Sequence, residues 1–139
     1  MPQKITQSVK SMVDEARATI IERPAADVIA KAKDPNVVLV DIRDPRELER
    51  DGRVPGAFHA TRGMLEFWID PASPYFKPVF GQDKKFVFHC AAGWRSALAA
   101  QAMQRMGLKP VAHIDGGFKA WKEAGGAVVG VQAESRKRD

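Results

Sequence analysis

The chain has one cysteine, Cys90, in 139 residues, so no intramolecular disulfide can form. That suits a reducing compartment. Long apolar runs are missing too. The longest uninterrupted stretches resemble Val37-Val38-Leu39-Val40, far short of the roughly 20 residues a membrane-spanning helix needs. A secretory leader is not expected, because Lys10, Asp14, Glu15 and Arg17 stand where its apolar core would be. These absences predict a soluble, cytoplasmic protein without a membrane partner. Nucleic acid is excluded as a partner despite the net charge of +5. The basic residues are scattered, apart from Arg136-Lys137-Arg138, and form neither a basic helix nor an aromatic-and-basic ribbon. The surplus charge better suits attraction of small anions. His59 and His113 lack partners at metal-ligand spacing, so no metal or other cofactor is expected. No internal repeat is present.

What is there fits one domain with a normal core, since hydrophobic residues make up 45% of the chain. Val9, Met12, Val13, Ala16 and Ile20 fall at helical spacing. They predict an amphipathic helical extension over residues 1–19, placed to dock on the domain or on a partner. The domain itself is expected over residues 20–130, and a disordered basic tail over residues 131–139. Within the domain, strand-like and helical runs alternate. Strands are predicted from Thr19, at Val37–Val40, at Ala57–His59, at Lys85–His89 and at Val111–Ile114. Helices are predicted from Pro24 to Lys33, from Asp44-Pro45 to Asp51, over Gly63–Ile69, Arg95–Met106 and Phe118–Ala124. Gly107 and Gly125-Gly126 supply the stops, and residues 70–82 read as a proline-rich loop. Such alternation predicts an α/β fold with a mostly parallel sheet of about five strands and helices on both faces.

The chemistry concentrates in Phe86-Val87-Phe88-His89-Cys90-Ala91-Ala92-Gly93-Trp94-Arg95-Ser96. A buried strand ends at Cys90, a tight loop follows, and a helix begins near Arg95. Ligands of parallel sheets bind outside the carboxyl ends of the strands. Ala91, Ala92 and Gly93 are small enough for the backbone to curl so that N–H groups converge on one anion. The helix dipole and Arg95 add positive charge. Each feature favours thiolate over thiol, and surroundings of this kind bring a cysteine from about 8.5 down to roughly 3.5–7.5. The bland alternative, a small buried hydrophobe, leaves the glycine-containing loop, the arginine and the helix start unexplained.

Three ordered motifs carry a resemblance. Val38-Leu39-Val40-Asp41-Ile42-Arg43, followed by Glu47, Gly52 and Val54-Pro55-Gly56-Ala57, is the first. Cys90-Ala91-Ala92-Gly93-Trp94-Arg95-Ser96 is the second, and Asp115-Gly116-Gly117-Phe118-Lys119-Ala120-Trp121 the third. Together they resemble the rhodanese family over roughly Ile20 to Val129. Arg53 departs from the pattern, standing where the family commonly has histidine, a change expected to touch surface packing only.

The resemblance implies the three-layer rhodanese-like fold and a ping-pong sulfur transfer. Cys90 would take sulfane sulfur from thiosulfate or a related donor as a persulfide and pass it to a thiophilic acceptor such as cyanide or a thiol. Ala91, Ala92, Gly93, Trp94 and Arg95 would form the substrate-binding loop. The partners implied are a small anionic donor, a thiophilic acceptor and a sulfur-relay protein.

Two rivals stay open. His89-Cys90 with an arginine downstream evokes Cys-based phosphatases, but four residues separate Cys90 from Arg95 where the phosphatase signature has five. The phosphatase-like and arsenate-reducing relatives of the fold carry the longer loop, which can hold three equatorial phosphoryl oxygens. No convincing aspartate acid stands on a mobile loop, with Asp70 the nearest candidate. Non-catalytic rhodanese modules usually lack the cysteine.

The remaining polar residues have structural readings. Asp41 and Arg43 end a central strand at the same edge as Cys90 and read as a hydrogen-bonded brace. His89 should point to the face opposite Cys90, as a core or supporting residue. Trp94 is expected at the pocket rim. Met64-Leu65-Glu66-Phe67-Trp68, Phe118 and Trp121 read chiefly as packing.

Overall fold

A computed structural model describes residues 2–131. In chain order the elements are α1 (Val9–Arg17), β1 (Ile21–Arg23), α2 (Ala25–Lys31), β2 (Val37–Asp41), α3 (Pro45–Asp51) and β3 (Phe58–His59). They continue with α4 (Leu65–Ile69), β4 (Lys85–His89), α5 (Trp94–Arg105), β5 (Val111–Ile114) and α6 (Gly117–Glu123). Short 3-10 turns precede α4 at Arg62–Met64 and follow it at Pro78–Gly81.

The strands form one five-stranded sheet in the order β1-β5-β4-β2-β3, every ladder parallel. Parallel strands must be covered on both faces, and their alternating side chains do this. On one face Val40, Phe86, Phe88, Cys90 and Val111 pack with Leu65 of α4 and Ala99, Ala100 and Met103 of α5. On the other, Leu39, Val87, Ala112 and Ile114 meet Ala25 and Val28 of α2 and Phe118 and Trp121 of α6. Each fully buried Phe, Leu or Ile in these layers contributes about 1.5–3 kcal/mol relative to an exposed one.

The N-terminal helix docks on the domain. Ser8 caps α1 by accepting from Ser11 N–H, and Val13 and Ala16 bury against Ala97 of α5. Val9 and Met12, on the same predicted stripe, stay exposed. Pro24 is the residue before α2 rather than a member of its first turn. Asp44 caps α3 by accepting from Arg46 N–H, while the Glu47 carboxylate returns to Asp44 N–H as a capping box.

Arg53 corrects the expectation of surface packing. It is only 9% exposed, its guanidinium donates to Ala57 O, and its backbone pairs with Val129. The side chain thus braces the turn that leads to Ala57, and the backbone ties the segment after α3 to Val129. Residues 132–139, most of the predicted basic tail, lie outside the described residues. No described helix is long and apolar enough to cross a membrane.

Candidate active site

Cys90 follows β4 directly, at the carboxyl end of the sheet. Residues 91–93 turn sharply and α5 starts at Trp94. The Cys90 thiol is 1% exposed and turned under its own loop. Gly93 N–H donates to Sγ at 3.1 Å and Ser96 N–H at 3.4 Å, with Ser96 Oγ 3.5 Å away. The sulfur therefore sits at the N-terminus of a twelve-residue helix, where the dipole and unpaired amides favour negative charge.

Gly93 makes the turn possible with φ +106°, a region closed to most side chains. A second glycine holds the loop from below. Phe118 N–H donates to Cys90 O at 2.8 Å and Lys119 N–H to Ala91 O at 3.1 Å. Gly117 lies in between, where a Cβ would fall 2.6 Å from Cys90 O. The Gly116-Gly117 motif is thus the floor of the cysteine loop, a role the sequence reading did not give it.

Arg95 reaches across to α3 and grips Glu47 with both guanidinium arms, at 2.7 and 3.0 Å. The bonds hold Glu47 below the usual carboxylate range and Arg95 above its ordinary value. The Arg95 side chain is still 42% exposed, so an anion can reach it. Trp94 is 49% exposed at the start of the same helix. Of the segment before residue 70, Leu65 is buried but Phe67 is 52% exposed, so packing accounts for only part of it.

Asp41 and Arg43 meet as a fully buried pair, with Arg43 Nη2 to Asp41 Oδ2 at 2.8 Å and Nε to Oδ1 at 3.1 Å. Arg43 also donates to Gly52 O and lies 4.1 Å from the centre of the Phe118 ring. His89 stands beside them, its Nε2 3.4 Å from Asp41 Oδ2. Burial opposes the Asp41 charge, but His89 and Arg43 outweigh it and hold the carboxyl well below its ordinary range. This cluster lies on the α6 face, opposite Cys90, and does not touch the sulfur.

Sequence spacing missed the polar group that does reach Sγ. Ser96 Oγ lies 2.8 Å from His113 Nδ1, and His113 Nε2 lies 2.8 Å from Glu22 Oε2. Glu22 and His113 are register partners on β1 and β5, a relation invisible along the chain. A groove of about 620 Å³ opens at the other end of the strands, lined by Lys85, Val87, Pro110 and Ala112 among others. It contains no residue of the Cys90 loop.

Against known families, the model described as Rhodanese-like domain matches residues 24–124. The chain belongs to the rhodanese-like domain family. Among solved structures, one protein from Rhodopseudomonas palustris CGA009 is 63% identical, with a TM-score of 0.90 and coverage of 93% of this chain and 99% of that one. It is described as a protein of unknown function and possible tyrosine phosphatase. The polysulfide-sulfur transferase homodimer of Wolinella succinogenes is 26% identical, TM-score 0.67, covering 87% and 86% of the two chains. A rhodanese-related protein of Thermoplasma volcanium is 28% identical, TM-score 0.63, covering 78% and 97%.

Proposed function

We propose that this rhodanese-like domain is a sulfurtransferase with Cys90 as its nucleophile. The observation that carries the reading is the seat of Sγ, held by two N–H groups at the start of α5 and covered by a tight loop. The Cys90 thiolate attacks the outer sulfur of thiosulfate. The new S–S bond forms as the bond to the sulfonate sulfur breaks, and sulfite leaves with that electron pair. Cys90–S–S⁻ remains, its charge stabilised by the first-turn amides of α5, which have no partners within the helix. Arg95 attracts the anionic donor and the departing sulfite, and Ala91, Ala92, Gly93 and Trp94 shape the loop around them. Cyanide or a thiol then attacks the outer sulfur and regenerates the Cys90 thiolate. In a reducing cytoplasm, a persulfide-bearing relay protein would serve as donor by the same chemistry, with Trp94 at the contact.

A phosphatase reading has one observation in its favour, the description of the Rhodopseudomonas palustris relative. The site offers it little room. Only four residues lie between Cys90 and Arg95, one fewer than the phosphatase loop needs to ring three phosphoryl oxygens.

Intact-mass spectrometry after exposure to thiosulfate tests the proposal. One added sulfur atom is expected, absent in Cys90→Ser and discharged by cyanide as thiocyanate. No adduct with thiosulfate or with a persulfide donor, together with hydrolysis of p-nitrophenyl phosphate, would overturn it in favour of the phosphatase.

A further inference from the structure

The Cys90 loop explains how negative charge is held at Sγ, but not where the thiol proton goes. Cys90 is buried, so bulk water is a poor acceptor. The nearest imidazole by sequence, His89, points to the opposite face, towards Asp41. Arg95 is a permanent cation and can take no proton.

On the face that carries Cys90, four groups stand in hydrogen-bonded succession. Cys90 Sγ is 3.5 Å from Ser96 Oγ, Ser96 Oγ 2.8 Å from His113 Nδ1, and His113 Nε2 2.8 Å from Glu22 Oε2. Arg17 Nε closes the chain on Glu22 at 2.8 Å. Cys90, Ser96 and His113 are each at most 1% exposed, while Glu22 and Arg17 lie towards the surface. Burial resists the Glu22 charge, but His113 and Arg17 together leave its carboxyl below the ordinary range.

An ionised carboxylate only accepts hydrogen bonds, so His113 Nε2 carries the hydrogen that faces Glu22. In the neutral ring Nδ1 is then an acceptor, and the Ser96 hydroxyl donates to it. That leaves the Ser96 oxygen open to the Cys90 S–H. The alternative acceptor for the Ser96 hydroxyl, Gly93 O, is farther away at 3.4 Å. Polarity thus runs one way, from thiol to carboxylate.

We infer that Ser96 and His113 form a buried relay that removes the Cys90 proton, with Glu22 as its counter-charge. The S–H bond breaks as the proton passes to Ser96 Oγ, and the Ser96 proton passes to His113 Nδ1. The products are a Cys90 thiolate, a Ser96 hydroxyl donating to it, and an imidazolium paired with Glu22. No proton is lost or gained overall, and no other reactant is needed. Ser96 touches the reacting sulfur, and His113 is a positioning residue that acts through it. The charged and titratable groups facing His113 are Glu22 from β1 and, behind it, Arg17 at the end of α1. Its neighbour in register on β4 is the apolar Phe88, and from α5 it meets Ser96. The relay rests on Cys90 being the reactive nucleophile but not on which donor it attacks.

Because Cys90 is the sole cysteine, alkylation by iodoacetamide, read by intact mass, reports its thiolate alone. The rate is measured against pH for the wild type, Glu22→Gln, Glu22→Asp and His113→Gln, with circular dichroism confirming the native fold. In Glu22→Gln the midpoint of the profile should rise by about one pH unit, a tenfold change in proton concentration. His113→Gln should shift it further, Glu22→Asp should restore most of it, and all should reach the wild-type rate well above the midpoint. A purely structural role would lower the rate at every pH and leave the midpoint in place, which would overturn the relay. Should His113→Gln not fold, the Glu22 pair decides. Shifted midpoints in a protein that forms no persulfide would retain the relay and reject the sulfurtransferase.

Discussion

The two faces of the sheet each bury a polar cluster beside the same strand, and the clusters differ in how their charges end. On the α6 face, Asp41 and Arg43 form a buried two-armed pair, Arg43 Nη2 also donates to Gly52 O, and the guanidinium's flat surface lies over Phe118. Beside them His89 is buried, with neither ring nitrogen hydrogen-bonded and Nε2 3.4 Å from Asp41 Oδ2. On the α5 face, Cys90, Ser96, His113 and Glu22 form an open file of hydrogen bonds, with the sulfur at one end and a partly exposed carboxylate at the other. The first arrangement braces the end of the sheet, and the second can exchange protons. Cys90 belongs to the second face by strand alternation alone, since one residue earlier the side chain is His89 and faces the brace.

The sharpest way to break this contrast is to remove one half of the brace. Asp41→Asn leaves Arg43 buried without its counter-charge, which costs about 3–5 kcal/mol. Denaturant unfolding should show that loss, with every activity falling together because the fold is what suffers. The pH dependence has a definite sign. Asp41 titrates lower when folded than when unfolded. Its contribution is therefore complete above the unfolded value of about 3.9, and is lost as pH falls from there through the folded value. Unfolding midpoints followed into acid should drop in the wild type, and Asp41→Asn should lack this part of the drop. Glu22, lowered by its partners on the other face, adds a loss of the same sign.

Gly117→Ala is expected to rank next. Its φ of +62° and the closeness of Cys90 O and Ala91 leave no place for a methyl group. The cysteine loop must move, at a cost of roughly 1–3 kcal/mol in stability. Sulfur transfer should fall by more than that stability loss explains, since the displaced loop no longer presents Gly93 N–H to the sulfur. Persulfide yield by mass and thermal unfolding, measured on the same sample, separate the two effects.

Much of this was legible along the chain. The β-branched run at Val37–Val40, the Asp44-Pro45 start and the small residues after Cys90 are local signals, and the strands, helices and cysteine loop stand where they point. The family resemblance rested on the same local motifs. What escaped was contact between distant segments. Glu47 and Arg95 are 48 residues apart, and His113 and Glu22 are 91 apart. His113 looked unpartnered because ligand spacing is judged along a strand or helix, whereas its partners lie on the neighbouring strand and on the helix above. Arg53 looked like a surface variant because its backbone partner, Val129, lies far along the chain and nothing local announces the pairing.

The smallest expected effect concerns Arg95, which stands at the mouth of the site rather than in either cluster. It is held by Glu47 in a two-armed grip yet remains 42% exposed, and exposed pairs contribute about 0–1 kcal/mol to stability. Arg95→Lys keeps the charge but loses the fork that Glu47 orients. Unfolding should barely change. If Arg95 serves to draw in the donor, KM for thiosulfate should rise about fivefold, roughly 1 kcal/mol, with kcat nearly constant. If its work is instead to stabilise the departing sulfite, kcat should fall with KM unmoved, because that charge develops only as the S–S bond breaks. The steady-state split between KM and kcat therefore assigns Arg95 to binding or to bond cleavage, and raising the salt sharpens it. Screening weakens attraction of a free anion through solvent far more than contact with one already seated beside the covered sulfur.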